Sequence, residues 1–420
     1  MAKVRLRVRR GGYGAFVTLI FISWKISPPA YAVRPPRPRS PPITKPQIKL
    51  LEEQKRVLWH LRRHGPTSRS ALATHLGMSN SALTKLSREL LSLGLVEEAD
   101  VEEHTRGTGR PIVPLRVSAT GGYAAGATVY HGTLEVALVD YTGATICVER
   151  ESFDSPDPRK FAEAVLRILH GLAARENLLM RRLLGLGVGV PGLPLNKDGT
   201  RRWTVASLAG WLDVPLDQVI GDYVGVPVWI ENDANAAALG EYYAGALFQE
   251  YSTVVVILLG YGIGAGIISD GRLLSGEAGD AGDIGRLYPA ELPRPSPLDL
   301  LAVLARAGCE IDSLVDLEER TRDFTHVVSE WIDRAALQLE LVVDGGMAWF
   351  NPGAIVLSSP LPHALLDQMI ARLRQSRLMT ERIPIAPPAL LSSRLGGASV
   401  VIGSALLPIH ALTLPDRSFF

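Results

Sequence analysis

Cysteine is scarce in this chain of 420 residues, which has only Cys147 and Cys309, far apart in sequence. Two distant cysteines argue against a disulfide framework and against a cysteine-based zinc cluster, and they suit a reducing cytoplasm. We therefore expect a cytoplasmic protein. We also expect no bound metal and no cofactor.

A strong net charge is also absent, because 44 Lys and Arg residues against 43 Asp and Glu residues give a formal charge of +1. A uniformly basic surface is excluded, so any affinity for DNA has to come from a local basic patch. The length allows two or three domains of ~150 residues, each large enough for a sizeable core.

Three consecutive helices are predicted from the apolar spacing that begins at residue 50. The first covers 50–64 and the second covers 68–76. Gly77 then permits a sharp turn, because glycine tolerates positive φ. Ser79 can cap the third helix, whose leucines at i, i+3 and i+7 face inward.

The outer face of this third helix carries short hydrogen-bonding groups and cations, which suit base edges and phosphates in a major groove. A glycine-rich wing tip follows, and its arginines can enter a minor groove or hold phosphates. The predicted DNA-contacting residues are Ser79, Asn80, Ser81, Thr84, Lys85 and Arg88, with Arg106 and Arg110 on the wing. The alternatives are a three-helix core with a solvated polar face and a plain hairpin loop. The order of helix, glycine turn, helix and wing favours a winged helix-turn-helix.

The first 46 residues contain basic side chains, an apolar stretch at 15–26 and the sequence Ala30-Tyr31-Ala32, which together resemble a secretory signal. The apolar stretch is too short and interrupted for a membrane span, and residues 34–46 are proline-rich and not expected to fold. A secreted DNA-binding protein makes little physical sense. We therefore expect 1–46 to be a disordered, dispensable tail, and we expect no membrane partner.

Strands and helices alternate after residue 122, and the pattern of a strand hairpin followed by helices occurs twice. Two similar halves predict two lobes with a cleft between them. The fold class is therefore α/β, with an N-terminal winged helix-turn-helix in front of a two-lobed body. The expected divisions are 1–46, 47–118, 119–409 and a C-terminal tail at 410–420.

Five motifs occur in order along the body: Gly187-Val-Gly-Val-Pro-Gly192, Glu231-Asn-Asp233, Gly262-Ile-Gly-Ala-Gly266, a glycine-rich run at 276–285, and Leu395-Gly-Gly-Ala398. In this order they resemble the ROK family of repressors, open reading frames and kinases, a branch of the actin-like sugar kinases. The resemblance covers about residues 50–409. It implies a homodimer or homotetramer, and family members that act as repressors carry a winged helix in front.

The resemblance also marks departures on the nucleotide side. Family kinases have an Asp-x-Gly-x-Thr hairpin that holds phosphates and magnesium, where this chain has Thr128, Tyr130 and Gly132. The paired glycines beside the adenine are Ser358-Ser359 here, and Tyr261 stands where many kinases have threonine. Phosphoryl transfer depends on positioning and charge neutralisation, so these losses predict a protein that is not an enzyme.

On the sugar side, Asn232 and Asp233 match the family's sugar-contacting pair, and Asp233 matches the catalytic base, which would be vestigial here. Its place at a helix start favours the ionised carboxylate; the alternative role is helix capping. Ser207, Asp283 and Arg286 replace the family's asparagine, glutamate and histidine. We expect all five residues to bind an effector.

Two roles are open for Arg286, and its presence excludes a zinc site at this position. Pointing into the cleft, it would favour an anionic effector such as a sugar phosphate; otherwise it pairs with Asp283 at i, i+3. The family's zinc forms use a histidine at this position, and a guanidinium is not a zinc ligand.

The sequence thus predicts a DNA-binding transcriptional regulator, a repressor of carbohydrate uptake or catabolism genes. Its partners are a double-stranded operator and a sugar or sugar-derivative effector. One alternative is a carbohydrate kinase with an appended DNA-binding head. Another is a constitutive DNA-binding protein whose cleft binds nothing.

Overall fold

The structure, a computed structural model, describes residues 48–99, 113–130, 132–260, 262–289, 292–311, 314, 317, 322–375 and 387–415. The tail 1–46, Arg106 and Arg110 of the predicted wing, and Tyr261 lie outside the described residues. The described chain forms a helical head followed by two α/β lobes, which confirms the predicted fold class.

The head contains the three predicted helices and a short β-ribbon. Its elements are α1 (Glu52–His64), α2 (Arg69–Leu76), α3 (Asn80–Ser92), β1 (Val96–Glu98) and β2 (Leu115–Val117), the two strands being antiparallel. Gly77 ends α2 with a left-handed φ of 65°. Ser79 Oγ accepts a hydrogen bond from the Ala82 N–H at 3.2 Å. The predicted turn and the predicted cap are both confirmed.

Lobe 1 is a five-stranded sheet with helices packed against it. Its strands are β3 (Tyr123–Tyr130), β4 (Thr133–Asp140), β5 (Thr145–Ser152), β6 (Leu183–Val190) and β9 (Val228–Asn232), in the order β5-β4-β3-β6-β9. The lobe also contains α4 (Pro158–Arg175), the strand pair β7 (Gly192–Pro194) and β8 (Arg202–Thr204), and α5 (Leu216–Val224). Helix α6 (Asp233–Leu239) begins directly after β9.

Lobe 2 repeats this plan. Its strands are β10 (Thr253–Leu259), β11 (Ile263–Ser269), β12 (Arg272–Leu273), β13 (Ala354–Ser358) and β14 (Ala389–Ser392), in the order β12-β11-β10-β13-β14. Helices α7 (Pro297–Arg306), α8 (Thr325–Phe350) and α9 (His363–Arg374) share a hydrophobic core with this sheet. In both lobes an antiparallel hairpin is extended by parallel strands. The expected two similar halves are therefore present.

The lobes meet through two helices that require small residues. Helix α10 (Ser399–Thr413) packs on the lobe 1 sheet, α6 packs on the lobe 2 sheet, and the two helices pack on each other. A Cβ on Gly403 would lie 1.7 Å from the Ala236 carbonyl oxygen, and one on Gly187 of β6 would lie 1.9 Å from the Ser404 carbonyl oxygen. No side chain fits at either place, so glycine sets the distance between the layers.

Two predicted helices have different ends in the structure. The helix expected at 232–246 stops at Leu239 and continues as a π-turn (Gly240–Ala244), in which the buried Glu241 carboxylate accepts from Arg394 N at 3.1 Å and from Ser393 Oγ. The last helix, expected at 398–406, continues to Thr413 because residues 407–409 are buried. It therefore includes the first four residues of the expected tail 410–420.

Among the described residues, the segment Gly396–Thr413 has the length and mean hydropathy, 1.4, of a membrane-crossing helix. In this protein it includes α10, which is packed against the lobe 1 sheet and α6, and 61% of the segment is buried. Burial inside the protein accounts for its apolar composition.

Candidate functional site

The outer face of α3 exposes the residues expected to contact DNA. Ser79, Asn80, Ser81, Thr84, Lys85 and Arg88 are all exposed, whereas Leu83 and Leu90 are fully buried in the head. Within the described part of the chain, neither Lys85 nor Arg88 forms an ion pair. The helix therefore presents uncompensated positive charge together with short polar groups, the combination that binds phosphates and base edges.

Two hydroxyls on this face also form hydrogen bonds within the helix. Ser79 Oγ caps the helix start, and Thr84 Oγ1 donates to the Asn80 carbonyl oxygen at 2.7 Å. A hydroxyl oxygen has two lone pairs, so each group keeps capacity for an outside partner. Ser79 has a capping role that does not depend on DNA.

A cleft of about 500 Å³ lies between the lobes. Asn232 and Asp233 line it from lobe 1, and Asp283 and Arg286 line it from lobe 2. Four of the five expected effector residues are thus brought together, although they come from segments far apart in sequence.

The Asn232–Asp233 pair is held by the start of α6. Asn232 Oδ1 accepts from the N–H groups of Ala234 and Asn235, and its Nδ2 donates to the Gly192 carbonyl oxygen at 3.1 Å. Burial raises the pKa of the Asp233 carboxyl above its usual value, against the opposing effect of a backbone hydrogen bond. Desolvation therefore outweighs the effect expected from the helix start, and the pKa is raised rather than lowered.

Arg286 lines the cleft and is also ion-paired. Its Nε donates to Asp283 Oδ2 at 2.6 Å and its Nη2 donates to Asp280 Oδ2 at 3.0 Å. Two carboxylates neutralise one guanidinium, so an anionic ligand would have to displace them. In the described residues no three histidine, cysteine or acidic side chains are grouped as a metal site.

Ser207 is not in the wall of the cleft. It is exposed on the 3-10 turn Ala206–Trp211, and the described wall passes through Trp203 and Val205 instead. This turn packs tightly against Pro156 and so stays outside the cleft wall. A Cβ on Gly210 would lie 2.2 Å from the Pro156 carbonyl oxygen.

Three cleft residues were missed by the sequence analysis. Arg202 is 1% exposed, and its Nε has no hydrogen-bond partner among the described residues. The same holds for Oδ1 of the buried Asn235. Trp203 lines the cleft with 56% of its surface exposed. Buried unpaired donors and acceptors are costly, and both Arg202 and Asn235 are part of the cleft wall. Arg202 and Trp203 reach the cleft only because the β7–β8 hairpin folds towards it. The spacing of residues in the sequence does not predict this position.

Helix α1 of the head contacts the β4–β5 turn of lobe 1. Arg62 Nη1 donates to the Thr142 carbonyl oxygen at 3.1 Å, and Nη2 donates to the Tyr141 carbonyl oxygen. The guanidinium also lies over the Tyr141 ring, 4.7 Å from its centroid. Buried residues of the head, of α10 and of lobe 1 form one continuous hydrophobic cluster.

The same helix contacts the β11–β12 turn of lobe 2, which is the equivalent turn in the repeated plan. A Cβ on Gly271 would lie 2.5 Å from Trp59 Cζ2, so the indole lies directly on this glycine. Tyr243 Oη donates to the Gly271 carbonyl oxygen at 2.9 Å, and His410 Nε2 lies 3.0 Å from it. Trp59 therefore packs where both lobes and the head meet.

This junction makes stability depend on pH. Burial lowers the pKa of His410 from 6.5 to about 4. Below pH 6.5 the unfolded chain binds a proton that the folded chain does not, so stability is complete above pH 6.5 and decreases as the pH falls towards 4. We expect His410 to account for a loss of about 2 kcal/mol between pH 7 and pH 5.

Urea unfolding at pH 7, 6 and 5 measures this effect. A His410→Gln variant should show a smaller pH dependence than the wild type, while His60, whose pKa is also lowered to about 4, contributes equally to both. Equal pH dependence in the two proteins would contradict the assignment.

Comparison with known proteins agrees with this architecture. The model of the ROK family matches residues 126–410, and that of the MarR family matches residues 50–100. The chain is 30% identical to the uncharacterized protein y4fQ of Sinorhizobium fredii, over 89% of this chain and 93% of that protein. It is 29% identical to the xylose repressor of Caldicellulosiruptor bescii over 52% of this chain, and so spans about half, 54%, of that relative.

Among solved structures, a ROK family transcriptional regulator, described as a homolog of the E. coli MLC protein, superimposes with a TM-score of 0.65. Its identity to this chain is 23%, over 86% of this chain and 96% of that one, and the likeness shows the shared fold. Because the family model covers well over half of the sequence, the chain belongs to the ROK family.

Proposed function

We propose that this protein is a cytoplasmic, sequence-specific DNA-binding regulator that represses carbohydrate uptake or catabolism genes and responds to a sugar effector. The observation that carries the proposal is α1, which belongs to the core of the head and contacts the equivalent turn of each lobe. A ligand that changes the arrangement of the lobes would therefore move the head. The names of relatives such as the xylose repressor support the same function.

In this proposal the head binds an operator through α3 and the wing. Ser79, Asn80, Ser81, Thr84, Lys85 and Arg88 form the described part of the interface, and Arg106 and Arg110 belong to the wing. A homodimer or homotetramer would present paired α3 helices to half-sites about one helical turn apart. A change in their spacing would then change operator affinity.

The effector site of this proposal is the cleft. Asn232 and Asp233 would bind sugar hydroxyls from lobe 1, and Asp283 would do so from lobe 2. Carboxylates and amides are strong partners for hydroxyls. Because Arg286 is neutralised by two carboxylates, we propose a sugar without a phosphate group. Ser207 has no part in this site.

We further propose that the protein does not phosphorylate the sugar. Thr128 Oγ1 is buried and donates to the Gly189 carbonyl oxygen at 2.9 Å, and Ser359 Oγ donates to the Leu259 carbonyl oxygen at 2.9 Å. The donor proton of each hydroxyl is thus used within the protein and is not available to a phosphate oxygen. A magnesium-ATP assay over hexoses and pentoses tests this, and robust turnover would favour the kinase alternative.

Selection of bound DNA from a random pool, followed by competition with sugars, tests the head and the cleft together. We expect one enriched operator sequence and at least one neutral sugar that changes its affinity. Asp233→Asn is the matched variant, since it keeps the side-chain shape and should bind the operator without responding to the sugar. Absence of any enriched sequence would reject the proposed function.

Replacing Lys85 or Arg88 by alanine is expected to weaken operator binding about tenfold, because each cation neutralises a phosphate. Each variant should also reduce the slope of log affinity against log salt by about 1. Anisotropy titrations over a range of salt concentrations measure both quantities. Arg175→Ala is the control, since it removes an exposed charge from α4 of lobe 1. An unchanged slope in the α3 variants would show that this face does not contact DNA.

A further inference from the structure

Helix α8 of lobe 2 exposes a line of large apolar side chains. Leu337 and Leu341 are each 67% exposed, and Trp349 is 84% exposed. The opposite side of the same helix packs into the core of lobe 2 through residues such as Leu339 and Val343. Single exposed apolar residues are ordinary on a protein surface, whereas a contiguous group of them indicates an interaction site.

The exposed residues belong to one ridge of the helix surface, because side chains four positions apart are neighbours on a helix. This ridge, here called the α8 ridge, consists of Asp333, Leu337, Leu341, Gly345 and Trp349. A Cβ on Gly345 would have nothing within 4 Å, so the glycine leaves an open notch in the ridge. The α8 ridge therefore has two projecting leucines, a notch and a projecting indole at regular spacing.

The α8 ridge is complementary to a second copy of itself. Two helices that pack through ridges of this spacing cross at about −50° with their ridges parallel. In an antiparallel pair with a two-fold axis at Leu341, that leucine meets its own copy. Leu337 of each helix then lies against Gly345 of the other, so that a projecting side chain fills a notch on both sides of the axis.

The two ends of the ridge match in the same register. Asp333 of one copy lies opposite Trp349 of the other. An indole N–H only donates and a carboxylate only accepts. Asp333 Oδ1 accepts from Arg372 Nε at 2.7 Å, and the carboxylate has further lone pairs for a second donor. A single register thus pairs large with small, apolar with apolar, and donor with acceptor.

The charges beside the α8 ridge disfavour DNA as its partner. Glu330 and Asp333 are exposed, and the neighbouring cations Arg334 and Arg372 are ion-paired with Asp299 and Asp333. A DNA-binding surface needs cations that are free to neutralise phosphates.

We propose that the α8 ridge binds a second copy of this chain and forms the antiparallel α8–α8 contact of a homodimer. This inference rests on the proposed function, which requires paired heads, and it names the surface that pairs them. The partner is selected by self-complementarity, because the contacts on one side of a two-fold axis are repeated on the other.

Sedimentation velocity of the full chain at micromolar concentration tests the inference. We expect the wild type to sediment as two chains and Leu341→Glu to sediment as one, because the two new carboxylates would meet across the axis. Gly345→Glu should have the same effect by filling the notch. The single chain has room for that side chain, since nothing lies within 4 Å of its Cβ position.

Met180→Glu is the matched control, because Met180 is an equally apolar residue that is 83% exposed in lobe 1. The same charge added there should leave the dimer intact.

Exchange of charge tests the two-fold axis itself. Leu341→Lys alone should also sediment as one chain, because two ammonium groups would meet. An equimolar mixture of Leu341→Glu and Leu341→Lys should recover dimers that contain one chain of each kind, at least tenfold tighter than either variant with itself. Such recovery would also show that both variants are folded.

Three outcomes separate the inference from the proposed function. Dimers that persist in both Leu341→Glu and Gly345→Glu would overturn the inference and leave the proposed function in place, since another surface would then pair the heads. A wild type that sediments as one chain would overturn both the inference and the proposed pairing of heads. If the wild type sediments as four chains, both variants should fall to two, and an unchanged tetramer would overturn the inference.

Discussion

An Arg62→Ala variant is expected to bind operator DNA with nearly normal affinity and to lose most of its response to the effector. Arg62 supplies two hydrogen bonds from α1 to the carbonyl oxygens of Tyr141 and Thr142 in lobe 1. Without them α1 keeps its contact with lobe 2, and its contact with lobe 1 is reduced to apolar packing, which is not directional. Coupling free energies of ~1–3 kcal/mol change affinity about 5–150-fold. In the variant, the ratio of operator affinity without the effector to operator affinity with it should approach 1.

The measurement is operator affinity with and without the sugar identified by competition. Arg63→Ala is the matched control, because Arg63 is the next residue of α1 and its ion pair with the exposed Asp270 spans 3.4 Å. Surface ion pairs contribute ~0–1 kcal/mol, so this variant should keep most of the response. A full response in Arg62→Ala would mean that coupling does not pass through this contact.

The head could be predicted from sequence because its signals are local. Gly77 and Ser79 set a turn and a cap by chemistry that acts within a few residues, and both have the expected geometry. The inward leucines of α3 follow from helical periodicity alone. By contrast, the contact of Trp59 with Gly271 joins residues more than two hundred positions apart, and no spacing within α1 indicates it.

The cleft could be predicted only in part, for the same reason. Asn232, Asp233 and Asp283 were found through the family resemblance, and their place in one cleft agrees with that expectation. Arg202 and Trp203 were missed because they are only two neighbouring residues on a short hairpin. Two residues are too few to form a recognisable sequence pattern. Ser207 was included by its place in a motif, although packing of its turn holds it outside the described wall.

The glycine motifs were found in the sequence, but the sequence did not show why glycine is required at these positions. Spacing alone does not distinguish a glycine that approaches a phosphate from one that admits a helix. A Cβ on Gly266 would lie 2.6 Å from the Ala234 carbonyl oxygen of α6, and one on Gly126 would lie 2.3 Å from Val401 O of α10. These glycines therefore have a structural role in bringing the central helices onto the sheets.

Gly187→Ala is accordingly expected to destabilise the body by about 3 kcal/mol, at the upper end of typical overpacking costs. Its Cβ would lie 1.9 Å from the carbonyl oxygen of Ser404 and 2.8 Å from the carbonyl carbon. Backbone atoms cannot rotate away as a side chain can, so α10 would have to separate from β6. Because α10 also packs on α6, the contact between the lobes would loosen as well.

Urea unfolding of the full chain measures this effect, with Gly171→Ala as the matched control. Gly171 lies within α4, and nothing lies within 4 Å of the Cβ position. The same added methyl group should stabilise the protein there by ~0.5–1 kcal/mol, since alanine favours a helix over glycine. If the two substitutions change stability in opposite directions, the requirement for glycine at residue 187 comes from the close approach of α10. It would not come from a general need for glycine. A Gly187→Ala protein within 1 kcal/mol of the wild type would mean that the layers separate at little cost, and that the helix pair does not set the position of the lobes.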